Sequence, residues 1–227
     1  MTGIGTLAEG PLHAAVKQWL SAPGDRFEVP VGRWVVDLVR ADGELVEIQT
    51  GGFGPLGPKL DGLLDTHRMR IVHPVPAERR IVRVDRDSVV LSERRSPKRA
   101  GVLEVFEKLV AFPSLVGHPH LVLEVLLCAE DHVRSPAPTR SRSGRRTRDP
   151  GVRHLTDVLA RHEVRRPADV LGLLGAPLPD GAFTTAELGA RLGVPVLLAQ
   201  RVAYCLRLME LLEPAGKRGH APLHRAV

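Results

Sequence analysis

Apolar residues recur at helical spacing from Thr6 to Leu20, where Leu7, Leu12, Val16, Trp19 and Leu20 gather on one side, and Ser21-Ala22-Pro23-Gly24 ends the run. Three short runs follow, Phe27 to Val31, Trp34 to Arg40 and Glu44 to Thr50, separated by Gly32-Arg33 and Ala41-Asp42-Gly43. β-branched residues bounded by turn formers predict a three-stranded meander. Leu56 to His67 carries Leu60, Leu63 and Leu64 on one helical face, and Met69 to His73 is a short apolar strand before Pro74. Ile81 to Val84 and Val89 to Leu91 read as further strands and Val102 to Phe112 as a helix. Leu121 to Cys128 fits a strand or a buried helix equally well.

The pattern is lost between Arg134 and Pro150, RSPAPTRSRSGRRTRDP, which is dense in Arg, Ser and Pro. This stretch reads as a linker, serving as a solvated tether, a phosphate-contacting arm or both. Short helices are expected beyond it, at Val152 to Arg161, Pro167 to Leu174, Thr184 to Leu192 and Pro195 to Met209. Thr184 and Glu187 have the spacing of a capping box. Leu211 to Pro214 and Pro222 to His224 can pair around Gly216-Lys217-Arg218-Gly219. The expected organisation is therefore an α/β domain over residues 1–133, a basic linker over 134–150 and a helical module with a terminal β-hairpin over 151–227.

Across a three-residue hairpin loop at Ala41-Asp42-Gly43, Asp37 faces Glu47. Cross-strand Cβ atoms lie about 4.5 to 5.5 Å apart, close enough for both carboxylates to hold one hard cation. Val35, Val39, Leu45 and Gln49 share their face, while Val36, Leu38, Val46 and Ile48 point into a core. Opposed acids on strands that are apolar on both sides require a cation or a shared proton between them.

Asp37, a short gap and Glu47-Ile48-Gln49 resemble the PD-(D/E)XK nuclease superfamily. Its core is helix, β meander, helix, strand, and its signature is an Asp, a gap and Glu-x-Lys. The chain also looks like uncharacterised bacterial proteins with a Glu-x-x-Leu-His start, an Ile-Gln-Thr-Gly core and a winged-helix tail. The matching residues are Glu9 to His13, followed by Lys17, and Ile48 to Gly51. The resemblance implies a restriction-endonuclease-like α/β core over about residues 6–133, in which Asp37 and Glu47 bind Mg²⁺ (or Mn²⁺). Gln49 would orient the attacking water, Lys59 would screen developing charge and Glu9 would complete the metal surroundings. Gln49 stands where the superfamily has Lys. Gln supplies no positive charge, and Lys59 on the following helix is the expected replacement. His13 and His67 flank the same region.

The C-terminal layout resembles a winged-helix domain, a module that binds DNA or other proteins. Its second helix would present Gln200, Arg201, Tyr204 and Arg207 to a duplex, and its wing would add Lys217 and Arg218. A net charge of +6 favours a polyanionic partner, and an aromatic content of 4% argues against a base-stacking platform, so a duplex partner stays open and DNA, as a duplex, is the partner expected. No apolar run reaches the roughly 18 residues of a spanning helix. The N-terminus lacks signal-peptide character, so a cytoplasmic protein without membrane contact is expected. Cys128 and Cys205 sit in apolar runs and read as buried thiols. Gly51-Gly52-Phe53-Gly54 lacks the P-loop pattern. Together these features predict a metal-dependent DNA endonuclease, possible as a homodimer, whose winged helix tethers substrate. The alternatives are a nuclease-like fold that binds DNA without chemistry and an adaptor that binds no DNA.

Overall fold

The computed structural model describes residues 9–97, 100–135, 139–140, 146–147 and 151–227. Helix α1 (Pro11–Leu20) starts with Pro11 in its first turn, where no N–H is needed, and buries Leu12, Val16 and Leu20. Strands β1 (Arg26–Val31), β2 (Trp34–Val39) and β3 (Leu45–Ile48) form the expected antiparallel meander, with Leu38 opposite Val46 and Val39 opposite Leu45. After a 3₁₀ turn, α2 (Gly57–Leu63) crosses to β4 (Met69–Val84), which runs parallel to β3. Next come β5 (Val90–Arg95), a 3₁₀ turn at Val102–Val105, α3 (Phe106–Leu109) and β6 (Leu121–Arg134). Strand β6 lies parallel to β4 along most of its length, so Leu121 to Cys128 is strand.

Strand β4 continues through Pro74 and Pro76, where the sequence led us to expect a break. The Gln49 N–H bonds the Val72 carbonyl, so even-numbered positions direct their backbone groups towards β3. β3 pairs no further than Val72, and the missing N–H groups of Pro74 and Pro76 therefore fall on an unpaired stretch of that edge. β5 resumes pairing at Arg80.

Two short strands, β7 (Thr139–Arg140) and β8 (Arg146–Thr147), pair with each other within the Arg-rich segment. Most of the expected tether or arm lies outside the described residues. Its flanks correct the linker reading, because the segment joins β6 to β9 (Val152–Val164), antiparallel neighbours in one sheet. Residues 152–161 are thus strand and not the expected helix, and they belong with the sheet and not with the C-terminal helices. The large sheet runs β1-β2-β3-β4-β6-β9, with β5 also on β4, so the chain is mixed α/β.

Helix α4 (Pro167–Leu171) leads to α5 (Thr185–Leu192), α6 (Val196–Leu208) and the hairpin β10 (Leu212–Arg218) and β11 (Ala221–Ala226). The Thr184 hydroxyl accepts the Glu187 N–H at 3.2 Å while the Glu187 carboxylate accepts the Thr184 N–H at 2.7 Å, closing the expected capping box. Gly193, at φ 65°, takes the left-handed conformation that ends α5. Val202, Cys205 and Leu206 of α6 share one apolar cluster with Val39, Ile71 and Val125 of the sheet. The opposite sheet face packs Leu38, Val46, Ile48 and Val72 against α1.

Arg70 ties four segments together. It bonds Glu44 before β3 at 3.0 Å, Glu124 of β6 at 2.9 Å and Glu163 of β9 at 2.6 Å, and Arg161 of β9 also holds Glu124. Glu124 is 1% exposed, so removing one cation leaves a buried charge short of a partner. Replacing Arg70 with Met is expected to cost about 3–5 kcal/mol in urea unfolding. An unchanged midpoint would show that the network is dispensable.

Candidate active site

The β2–β3 ladder stops at Leu38 and Val46, one position short of the acids. Instead of a backbone partner, the Ile48 N–H finds the Asp37 carboxylate, at 2.7 Å. Alternation changes at the same point. Val36 joins the cluster of Val39 and Leu45, whereas the sequence pattern placed it with Leu38, which packs on the other face. Asp37 and Glu47 thus lie where two strands part, still close enough that the charge of Asp37 acts on Glu47.

Each acid has a cation. Lys59 of α2 is only 7% exposed, and its ammonium bonds Glu47 at 2.5 Å and the Val35 carbonyl at 2.7 Å. Burial of Glu47 and the charge of Asp37 nevertheless raise its pKa, which Lys59 offsets only in part. His13 bridges two acids, with Nδ1 2.7 Å from Glu9 and Nε2 3.0 Å from Asp37. With both nitrogens facing carboxylates, the ring is an imidazolium. Burial opposes that charge, but the bonds and charges of Asp37 and Glu9 outweigh it and raise His13 to about 9. Burial likewise acts to raise Asp37, and His13, the Ile48 N–H and the charge of Lys59 prevail in lowering it. One turn along α1, Lys17 pairs with Glu9 at 2.7 Å and with Glu28 of β1.

Of the expected residues, Asp37, Glu47, Lys59 and, through His13, Glu9 come together. Gln49 does not join them, because its amide donates to the Gly52 carbonyl and braces the turn after β3. His67 bonds the neighbouring Thr66 hydroxyl. Sequence reasoning noted His13 but missed it as the hub. The signal was its spacing from Lys17, one turn along α1, and from Glu9 just before the helix. In the C-terminal half, Gln200, Tyr204 and Arg207 are exposed on α6, with Leu197 and Leu208 among them. Arg201 instead pairs with Glu107 of α3 at 3.0 Å. The hairpin reverses at Gly219–His220, so Lys217 and Arg218 stand in β10 and not at its tip. Arg218 turns back to Glu187 at 2.6 Å, and Lys217 is exposed.

Because His13 holds its proton more tightly folded than unfolded, its contribution to stability is complete below pH 6.5 and is lost as pH rises through about 9. Melting temperatures taken in EDTA should fall across that window in the wild type. The step should be missing in His13→Gln, and an identical step in both proteins would place its origin elsewhere.

Among known proteins, the family model described as Domain of unknown function (DUF8091) matches residues 10–165, from the residue before α1 to the one after β9. An uncharacterized protein of Treponema pallidum (strain Nichols) is 30% identical over 228 residues, covering 98% of this chain and 87% of that protein. No solved structure matches the chain. The matched span holds all of the large sheet and, at the candidate site, Asp37, Glu47, His13, Lys17 and Lys59, with Glu9 one residue before it, and the chain belongs to the family of this domain, DUF8091.

Proposed function

We propose that the protein is a metal-dependent endonuclease that hydrolyses phosphodiester bonds in DNA. One observation carries the reading. A helix, an antiparallel meander, a helix and a strand parallel to β3 bring Asp37, Glu47 and Lys59 to the point where β2 and β3 separate. That order and that residue set are the ones implied by the PD-(D/E)XK resemblance.

The donor set fits a hard divalent ion. Two carboxylates stand side by side, and burial with mutual repulsion raises Glu47, which a cation between them would relieve. Among the described residues no three His, Cys, Asp or Glu side chains are gathered around one point. Two carboxylates, with water and a substrate phosphate in the other positions, are a common Mg²⁺ environment, and Mn²⁺ would serve similarly. Such an ion, held by Asp37 and Glu47, would polarise the scissile phosphate and make a bound water nucleophilic near neutral pH. Lys59 offsets negative charge growing on the phosphate. His13, held by Glu9, keeps Asp37 ionised and oriented.

The C-terminal half supports a duplex as substrate. α5, the Gly193 turn, α6 and the β10–β11 hairpin have the order of a winged helix, joined at its base by the Phe183–His224 bridge. With Arg201 and Arg218 engaged within the protein, the proposed DNA contacts narrow to Gln200, Tyr204, Arg207 and Lys217. A second reading, DNA binding without chemistry, is favoured by the pairing of each acid with a cation of its own.

Plasmid nicking in Mg²⁺, Mn²⁺ or EDTA separates the two. Cation-dependent nicking is expected, reduced about a hundredfold or more in Glu47→Ala and in Lys59→Met. Absence of nicking in every cation, with DNA retained, would replace the nuclease with the non-catalytic binder. In the retention assay, Arg207→Ala and Lys217→Ala should each lower the slope of log affinity against log salt by about 1. Unchanged slopes in both would remove α6 and the wing from the DNA interface.

A further inference from the structure

Among the described residues, no strand lies beside one edge of β4 between Val72, the last residue paired with β3, and Arg80, the first paired with β5. A cavity of about 200 Å³ borders this gap, close to Thr50 just beyond the end of β3. Three cations reach it from separate elements, Arg79 of β4, Lys108 of α3 and Arg153 of β9. Arg79 donates to Glu130, 2% exposed, at 2.6 Å, and Arg153 lies 3.8 Å from the same carboxylate and donates to the Thr50 carbonyl at 3.3 Å. Their guanidinium groups are therefore held before any ligand arrives.

His73 forms part of the wall and is 4% exposed. Its ring bonds the Gln49 carbonyl through Nδ1 at 2.5 Å, so Nδ1 carries the proton and Nε2 of the neutral ring is an acceptor. The imidazole also reports the local field. Burial, with the charges of Lys108 and Arg153, pushes its pKa down to about 4 against the bond to Gln49. Glu104 and Glu107 line the cavity as well, but Glu107 is paired with Arg201, and the field sensed at His73 is positive.

Guanidinium donors and an ammonium suit a tetrahedral oxyanion, and His73, whose free Nε2 only accepts, is a neutral wall beside them. We propose that this cavity is a phosphate-binding site, which takes a phosphate of a nucleic-acid strand held at Asp37 and Glu47 or that of a small phosphate ester. The strand-bound form rests on the nuclease reading, and the binding chemistry does not. Thr50 is three positions after Glu47, at most about 10 Å of chain. That distance is about three nucleotides at a rise of about 3.4 Å per nucleotide, so one strand can reach both places.

The test is titration of the full chain with inorganic phosphate against chloride at matched ionic strength, following the ring nitrogens of His73 and the Nε resonances of Arg79 and Arg153. Saturable shifts are expected, with at least tenfold weaker affinity in Lys108→Met and in Lys108→Gln at unchanged melting temperature. Shifts that do not saturate, or that are equally strong in both variants, overturn the site. Competition by a short duplex identifies the strand as the source of the phosphate, and competition by glycerol phosphate alone identifies a small ester. Glu47→Ala should bind phosphate normally. Nicking without saturable phosphate binding would sink this inference alone, and phosphate binding without nicking would sink the nuclease reading alone.

Discussion

Pro74 and Pro76 have no N–H to give, and that limits how β4 can be paired. On one edge β6 accompanies β4 from Met69 to Arg83. On the other, β3 pairs as far as Val72 and β5 from Arg80. This places Glu47 one residue from the end of a short strand, within reach of Lys59. It also leaves the break in the sheet where the cavity lies. A strand of 16 residues thus serves two neighbours along one edge, and both features of chemical interest border the place where one leaves off.

Charge is matched in two ways around the sheet. Among the strands, Arg70 and Arg161 neutralise acids from several segments, and Arg161 lies over the Trp19 ring at 5.3 Å, fastening β9 to α1. At the candidate site the acids are matched by His13, Lys17 and Lys59, all on helices. The meander supplies carboxylates and the helices supply cations, so the position of α1 and α2 sets the electrostatics of the opening between β2 and β3.

Local rules made much of this legible. The hairpin loop at Ala41-Asp42-Gly43 fixed the register of β2 on β3, and the Thr184–Glu187 spacing located the start of α5. The facing of Asp37 and Glu47 followed from that register, and Lys59 was implied by the resemblance to the PD-(D/E)XK superfamily. Where distant segments decide, the pattern was ambiguous. Val152, Leu155, Val158 and Leu159 fit a helical stripe as well as a strand, and the pairing of β9 with β6 includes two register shifts that blur strict alternation. β4 looked broken at Pro74 because the free edge that tolerates proline is created by β3, far away in sequence. The link from His13 to Asp37 and the convergence of Arg79, Lys108 and Arg153 are products of folding that no local spacing announces.

The connection between β6 and β9 has a bearing on how the chain can be divided. Composition alone invites a cut within residues 134–150, as if two independent halves met there. Eleven cross-strand pairs join the strands on either side of that segment. A cleaved chain would remain one particle held together by sheet, whereas a fragment ending at Arg134 would present the bare edge of β6, a long apolar template for pairing with another chain.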